Sequence, residues 1–353
     1  NFVYNIVYNY YSINSLIHKK FSDEYFMQRC IDVAKMGVGT TYPNPCVGCI
    51  IVYKNKIISE AYSNPHGFSH AEINAINKIT DKSILKDCSL YVTLEPCCHF
   101  GKTPPCCDEI IKCGLSKVVI GIIDPSEKVN GKGIRKLNAN GVDVKVSILE
   151  SECKNLHRNF ICYHTKKRPF IILKWAETKD GFISPSKKNS NKPYLISCNK
   201  SRQLVHKWRS TENSILVGYN TVVVDNPRLT TRHIVGENPI RIVLDPRNQL
   251  NESFKIFDSK SKTIKVTLKK ENCDKKYIDD VLNYLYEKQI QSIIVEGGKK
   301  TLELFIENNK WDEARIFVGQ NKLENGKKSP KIHGKIIDQY KVDSDLLKII
   351  IPN

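Results

Sequence analysis

The feature that most limits how this chain can fold is a set of metal-ligand residues scattered through its first half. His70-Ala71-Glu72 is followed by Thr93-Leu94-Glu95-Pro96-Cys97 and then by Pro105-Cys106. A histidine and two cysteines supply three ligands of a tetrahedral zinc and leave the fourth position to water. If they share one ion, the segments around residues 70, 97 and 106 must meet in space. Glu72, two residues past the histidine, is the right group to move protons to and from that water without binding the metal. A structural zinc finger, or buried cysteines that bind nothing, are the plainer readings. His-x-Glu alone carries no information; in order with two Pro-Cys steps it points to zinc-dependent hydrolysis.

His-x-Glu ahead of Pro-Cys is the arrangement of zinc deaminases that remove amino groups from bases. Nucleoside and tRNA deaminases usually close the site with Cys-x-x-Cys, whereas eight residues separate Cys97 from Cys106 here. The block Thr-Leu-Glu-Pro-Cys-Cys-His-Phe-Gly-Lys-Thr-Pro-Pro-Cys, residues 93–106, closely resembles the deaminase signature of the bifunctional riboflavin-biosynthesis family RibD. Pro43-Asn44-Pro45 and Asp124-Pro125 resemble it too. That family usually has serine at the position of Cys98, so the doubled cysteines are a departure. Cys97 and Cys106 are taken as the ligands because each directly follows proline in the motif. Cys98 and Cys107 are read as ordinary small side chains.

At 353 residues the chain can hold two domains with separate cores. Thirteen cysteines in a chain of this length, with no export signal, suggest reduced thiols and a metal rather than a disulfide framework. Residues 1–20 have no basic start, clean apolar core or small-residue cleavage site, and are too polar for a membrane span. They are expected to form a disordered extension. The net charge of +18 comes from lysines scattered through every segment, with no arginine-rich helix or basic tail. It suits phosphorylated substrates and a dinucleotide better than nucleic acid. The expectation is a cytoplasmic homo-oligomer with no nucleic-acid or membrane partner.

The first half alternates helix and strand. Tyr25–Lys35 carries a helical apolar stripe at Phe26, Cys30, Val33 and Ala34, and Val47–Tyr53 with Lys56–Ala61 reads as a hairpin turning at Lys54-Asn55. Helices are expected from His70 to Ile79, from Pro105 to Cys113 and from Gly131, with strands Leu90–Leu94, Val118–Ile123 and Val142–Ile148. This pattern predicts an α/β/α layer with a mixed sheet. A polar stretch ending in proline, His164–Pro169, marks a boundary, giving domains 21–165 and 166–353. The second half restarts with strand Phe170–Trp175, a lysine- and serine-rich loop at Ser186–Lys192 and a helix Asn199–Arg209. Strands Ser214–Val217, Ile240–Leu244 and Ile293–Val295 follow, then a helix Lys299–Glu307. No Gly-x-Gly-x-x-Gly fingerprint is present, and Gly297-Gly298 before a helix is weak evidence for pyrophosphate binding.

Leu173-Lys174, Asp180-Gly181, Ile215–Gly218, Thr221-Val222, Asp225–Thr230 and Val295–Gly298 resemble the reductase half of the same family. The resemblance spans most of residues 23–320. It implies a cytidine-deaminase-like α/β/α N-terminal domain and a dihydrofolate-reductase-like α/β C-terminal domain, with Zn²⁺ and NADPH as cofactors. NADPH contacts are implied at Ala176, Thr221, Asp225 and the turn Gly298, Lys299, Lys300, Thr301, Leu302, Glu303 and Leu304. Arg209, Leu229, Arg232 and Glu296 are implied to meet the substrate, with the arginines suited to its phosphate. Lys174, Asp225 and Glu296 are the expected polar organisers of the reduction, and Asn44 and Lys102 the expected substrate contacts of the deaminase. Pro193 and Leu195 depart from a Gly-x-Ser-x-Trp loop, and Pro246 from a serine. The implied activity is deamination of a phosphorylated pyrimidine ribotide, 2,5-diamino-6-(5-phosphoribosylamino)pyrimidin-4(3H)-one, followed by reduction of its ribosyl group to ribityl. The alternatives are a deaminase with a degenerate reductase half, and a tRNA or nucleoside deaminase, which lacks the long second half. A non-enzymatic zinc scaffold has no need of Glu72 or of Arg209 and Arg232.

Overall fold

A computed structural model of the chain describes residues 21–186, 194–269 and 273–353. The extension 1–20, Pro193 and most of the loop at 186–192 lie outside the described residues. The chain divides into two compact units, the first ending at His157 and the second comprising Arg158–Asn353.

In the first unit the elements run α1 (Asp23–Lys35), β1 (Gly48–Tyr53), β2 (Lys56–Tyr62), α2 (Ala71–Asn77), β3 (Cys88–Leu94), α3 (Cys106–Lys112), β4 (Lys117–Ile122), α4 (Lys132–Ala139), β5 (Asp143–Lys145) and α5 (Glu150–Leu156). Helix α1 starts where the Ser22 side chain accepts from Tyr25 N, with Asp23 and Glu24 in its first turn. Its buried stripe, Phe26, Met27, Cys30, Ile31, Val33 and Ala34, packs on β1 and β3. Gly48 permits that approach: a Cβ there would lie 2.0 Å from the Cys30 carbonyl oxygen. The β1–β2 hairpin turns at Lys54 and Asn55, both left-handed, as the tight two-residue turns of twisted hairpins require.

The sheet order is β2-β1-β3-β4-β5, antiparallel across β2, β1 and β3 and parallel across β3, β4 and β5. Helices α1 and α5 contact each other, and α2, α3 and α4 contact in series, so two helical layers enclose the expected mixed sheet. The last strand is shorter than the apolar run 142–148 suggested. Ser147 and Leu149 adopt left-handed backbone, which ends the strand and turns the chain into α5.

Behind the sheet, Gly48 N donates to Thr93 Oγ1 at 3.2 Å, and that hydroxyl lies 3.0 Å from His157 Nε2. The two groups share a hydrogen bond whose direction follows the His157 tautomer, and the ring stays neutral because it is buried. Burial pushes its pKa down to about 3.

The second unit runs α6 (Arg158–Lys166), β6 (Phe170–Glu177), β7 (Phe182–Pro185), α7 (Asn199–Thr211), β8 (Ser214–Gly218), α8 (Tyr219–Asp225), β9 (Ile240–Leu244), β10 (Thr263–Val266), α9 (Asp274–Glu287), β11 (Ser292–Val295), α10 (Lys299–Glu307), β12 (Glu313–Val318), β13 (Gly326–Lys328), β14 (Lys335–Val342) and β15 (Asp345–Ile351). The polar stretch at 164–169 overlaps the end of α6. The sheet order is β10-β9-β8-β11-β6-β12-β15-β14. Strands β10 through β12 in that order are parallel and rich in isoleucine and valine, with β9, β8 and β11 buried on both faces; β15 and β14 close the edge as an antiparallel hairpin. In chain order the strands step outward through β8, β9 and β10, then return at β11. The crevice at the carboxyl ends of β8 and β11 therefore lies where the winding reverses, the usual place for a ligand in such sheets.

The neutral state of His157 sets a pH dependence. Its folded pKa lies below its ordinary 6.5, so the unfolded chain binds the extra proton. The contribution is complete above pH 6.5 and is lost as pH falls toward 3, at up to about 1.4 kcal/mol per pH unit. His157→Gln, which keeps a hydrogen-bond partner for Thr93, should flatten the fall in unfolding midpoint between pH 6.5 and 5 seen by denaturant titration of the wild type. An unchanged slope would show that His157 does not carry it.

Candidate active sites

The three ligand-type residues of the first unit converge. His70 is the capping residue of α2, Cys106 opens α3 directly after Pro105, and Cys97 follows the end of β3. His70 Nδ1 lies 3.5 Å from Cys97 Sγ and 3.3 Å from Cys106 Sγ, and all the ligand atoms fall within 4.8 Å of one another. Metal–nitrogen bonds of about 2.0 Å and metal–sulfur bonds of about 2.3 Å give ligand separations of about 3.5–3.8 Å in a tetrahedron. The donor set and its spacing both fit zinc.

The electrostatics favour a thiolate at Cys97. The Cys106 thiol donates to it, His70 and the Cys106 backbone N–H add to this against the opposing effect of burial, and its pKa falls to about 4. His70 is raised to about 9, chiefly by its contact with Cys97. Glu72 is 3 % exposed and its carboxyl is pushed up by burial, as suits a group that must hold and release a proton. Cys107 instead donates toward the Pro96 carbonyl at 3.4 Å, and Cys98 lies 4.0 Å from the Lys128 carbonyl; neither joins the cluster.

Glu95, inside the motif, was given no role from the sequence. It is 3 % exposed, and its carboxylate accepts from the backbone N–H groups of Asp124 at 3.2 Å, Gly131 at 2.9 Å and Ile134 at 3.2 Å. Gly133 lets α4 close on it, since a Cβ there would lie 2.3 Å from the Pro96 carbonyl oxygen. Asp124 is itself buried, with its pKa raised to about 7 by desolvation, and accepts from Ser126 N at 2.7 Å. The only sequence signal was position: an acid one residue before a Pro-Cys ligand. Asn44 is half-buried and Lys102 exposed; His66 Nδ1 lies 3.1 Å from Asn44 Oδ1, and Lys102 lies beside Gly67.

In the second unit a cluster of charge gathers around Glu296, just past the end of β11. Arg209 grips it bidentately, Nε to Oε1 at 3.2 Å and Nη2 to Oε2 at 2.8 Å, and Lys174 Nζ lies 3.9 Å from Oε2. Burial alone would raise the Glu296 pKa, but Arg209 and Lys174 outweigh it and hold the carboxyl at about 2. Burial lowers the pKa of Lys174. His206, one helical turn before Arg209, was not singled out in the sequence, although the i, i+3 spacing places both on one face of α7. Its Nδ1 accepts from Arg232 N at 3.2 Å, and burial with the nearby Arg209 holds it neutral, its pKa lowered to about 4. Arg232 is exposed, whereas Arg209 is buried and also donates to the Thr230 carbonyl at 3.3 Å. Leu229, left-handed at φ +54°, is buried in the core.

A cavity of about 420 Å³ opens at the carboxyl ends of β8, β9 and β11. Thr221, Gly298, Lys300, Thr301, Glu303 and Leu304 line it. Ala176, Asp225, Lys299 and Leu302 do not. Ala176 packs near Val205 and Phe317, Asp225 is exposed at the end of α8, Lys299 pairs with Glu303 at 3.5 Å, and Leu302 belongs to the core. Gly298 N donates to Thr221 Oγ1 at 2.9 Å, joining the turn after β11 to α8, the helix that follows β8. A Cβ on Gly218 or Gly297 would strike Thr301 at 2.4 or 2.6 Å, so this wall depends on bare backbone. Pro246 and Tyr277 complete part of the wall, and the buried Tyr277 hydroxyl has no hydrogen-bond partner among the described residues. A glycine cradle at a helix start, with an orphaned hydroxyl nearby, fits part of a dinucleotide.

Comparison with known proteins identifies the family of both halves. A family model described as the cytidine and deoxycytidylate deaminase zinc-binding region matches residues 20–122, and one described as the RibD C-terminal domain matches residues 169–321. Riboflavin biosynthesis protein RibD of Aquifex aeolicus is 36 % identical over 329 residues, covering 89 % of this chain and 88 % of the relative. The Synechocystis protein of the same name is 38 % identical over 278 residues, covering 78 % and 72 %. Among solved structures, the diaminohydroxyphosphoribosylaminopyrimidine deaminase/5-amino-6-(5-phosphoribosylamino)uracil reductase of Thermotoga maritima superposes with a TM-score of 0.83 at 35 % identity, covering 94 % of this chain and 98 % of that one. Acinetobacter baumannii RibD gives 0.84 at 27 % identity, covering 94 % and 99 %.

The cluster geometry predicts which sulfurs hold metal. Purified protein should carry about one zinc per chain, as a single three-ligand site implies. Cys97→Ser and Cys106→Ser should lose it in metal analysis, while Cys98→Ser and Cys107→Ser keep it. The reverse pattern would overturn the ligand assignment.

Proposed function

The chain belongs to the RibD family of riboflavin-biosynthesis proteins, and from that premise we propose how its residues share the work. It is a bifunctional enzyme. It deaminates 2,5-diamino-6-(5-phosphoribosylamino)pyrimidin-4(3H)-one, and reduces the ribosyl group of the resulting 5-amino-6-(5-phosphoribosylamino)uracil to ribityl with NADPH. The observation that carries the first activity is the convergence of His70, Cys97 and Cys106 with Glu72 buried close by.

His70, Cys97 and Cys106 would hold the zinc. When bound, that ion supplies Lewis acidity, which makes water a nucleophile near neutral pH. Glu72 takes the proton of the attacking water, gives it to the ring nitrogen and then serves the departing amine. Water's oxygen replaces the 2-amino group and ammonia leaves. Glu95 takes no part in the chemistry and fixes the segment that carries Cys97. Asn44 and Lys102 are assigned to substrate, the first through its carboxamide and the second through its charge.

In the second unit Thr221, Gly298 and the turn through Leu304 would seat the cofactor, whose own chemistry is hydride donation. Arg232, exposed beside Arg209, is the better placed of the two arginines to meet a phosphate. Arg209 instead keeps Glu296 ionised and in place. Lys174, made a readier proton donor by burial, and Glu296 would organise the opened sugar for reduction. Asp225, on the surface of α8, belongs to the same proposal as a cofactor contact. The proposed division of labour follows residues 21–165 and 166–353. Thirteen cysteines without a disulfide among the described residues suit a reducing, cytoplasmic setting. No described helix is long and apolar enough to cross a membrane. The same reading takes the phosphorylated ribotide, not nucleic acid, as partner, and a homo-oligomer as the working form.

Three outcomes test the assignment. Glu72→Gln should retain zinc and lose deamination by at least about 100-fold, measured as ammonia release; near-normal release would remove Glu72 from its role. Intact protein given the diaminopyrimidine ribotide should release ammonia with or without NADPH and oxidise NADPH only as the deaminated product forms. Arg232→Ala should raise KM for that product by about tenfold or more, the worth of a charge-assisted contact, and leave ammonia release unchanged. Ammonia release without any NADPH oxidation would reduce the chain to a deaminase.

A further inference from the structure

We propose that His66 is a positioning residue of the deaminase site, fixing the Asn44 carboxamide in the one orientation that turns its NH₂ group to the substrate. This rests on the proposed role of Asn44 as a substrate contact. His66 Nδ1 lies 3.1 Å from Asn44 Oδ1. A carboxamide oxygen only accepts, so Nδ1 carries the proton and donates. Asn44 itself is held at the backbone: its N–H donates to the Thr41 carbonyl at 2.9 Å, and its carbonyl accepts from Thr41 Oγ1 at 3.1 Å. With the main chain fixed, the remaining freedom is the flip of the amide, and a two-fold flip exchanges donor for acceptor at the same point in space. The His66 donor removes that choice.

The position of His66 ties this to the zinc centre. It lies four residues before the ligand His70 in a tight loop, closed by Asn64 N donating to the Ser69 carbonyl at 3.2 Å and Phe68 N to the Pro65 carbonyl at 3.1 Å. Gly67, left-handed at φ +98°, places the loop against the segment between the ligand cysteines: a Cβ there would lie 3.6 Å from Lys102 Cδ. Asn44, His66 and Lys102 thus come together from three separated segments. The His66 ring is exposed, so its bond to Asn44 is not a by-product of core packing.

The test is steady-state deamination by the full-length, zinc-loaded enzyme. His66→Ala should raise KM for the diaminopyrimidine ribotide about 3- to 10-fold, the worth of one neutral hydrogen bond, with kcat changed far less and zinc content unchanged. His66→Asn, whose amide nitrogen overlays Nδ1, should restore KM; His66→Gln, which reaches to the position of Nε2, should not. In the Asn44→Ala background His66→Ala should add nothing further. If Asn44→Ala raises KM and His66→Ala does not, or if the two effects multiply, the positioning role falls while the Asn44 assignment stands. If Asn44→Ala leaves KM unchanged, the Asn44 assignment fails and this inference fails with it. Loss of zinc in His66→Ala, or an asparagine no better than alanine, makes His66 a structural residue of the loop and overturns the proposal.

Discussion

Much of the deaminase unit depends on one buried carboxylate. Glu95 accepts three backbone N–H groups, from Asp124 just past β4, from the left-handed Gly131 and from Ile134 in the first turn of α4. A carboxylate removed from water is tolerated only where hydrogen bonds replace its hydration, and three donors aimed at two oxygens do so. The residue that receives them is separated from the ligand Cys97 by one proline. Pinning Glu95 to the end of β4 and the start of α4 therefore fixes the direction in which Cys97 leaves the sheet. That direction brings its sulfur to His70 and to the first amide of α3. Metal geometry tolerates errors of a few tenths of an ångström, so this kind of support counts as much as the ligands themselves.

The reductase unit solves a related problem with opposite charge. Glu296 is held ionised in a dry place by Arg209 on both oxygens and by Lys174 beyond. Breaking such a cluster leaves an uncompensated charge, so each member fixes the others. The neighbouring His206 contributes by staying neutral and accepting the Arg232 amide, which gives the chain carrying Arg232 a defined path without adding positive charge. Both units thus set their reactive side chains with buried polar contacts that reach across the fold, on a framework of apolar strands.

The legible parts of the sequence were those whose signal is local. Ligands next to prolines, the Lys54-Asn55 turn, and the helix starts at His70, Pro105 and Gly298 each combine side-chain chemistry with one step of backbone, and all appear in the fold. The strand expected through Ile148 stops early because Ser147 and Leu149 turn left-handed, which an apolar run does not reveal. Glu95 was illegible because its partners are backbone groups some thirty or more residues away that carry no side-chain signature. The same holds for the cavity wall. Thr221 and Gly298 were named through resemblance, whereas Tyr277 reaches that wall from α9, a helix with no motif. Leu302 was swept into the cofactor turn by its neighbours, although the helical period points it to the core.

The strand order of the second unit has a kinetic side. β6 is the first strand of that sheet to be made, yet it sits between β11 and β12, the last of the parallel strands; Phe170 pairs with Ser292, and Lys174 with Arg315. Closing such long loops costs entropy before any contact compensates, and folds dominated by distant pairings form slowly. During synthesis β6 must wait, apolar and unpaired at both edges, until nearly the whole chain has emerged. The first unit has no such delay, because β1, β2 and β3 pair with near neighbours. The order of the two halves thus lets a finished deaminase unit precede the segment most exposed to aggregation.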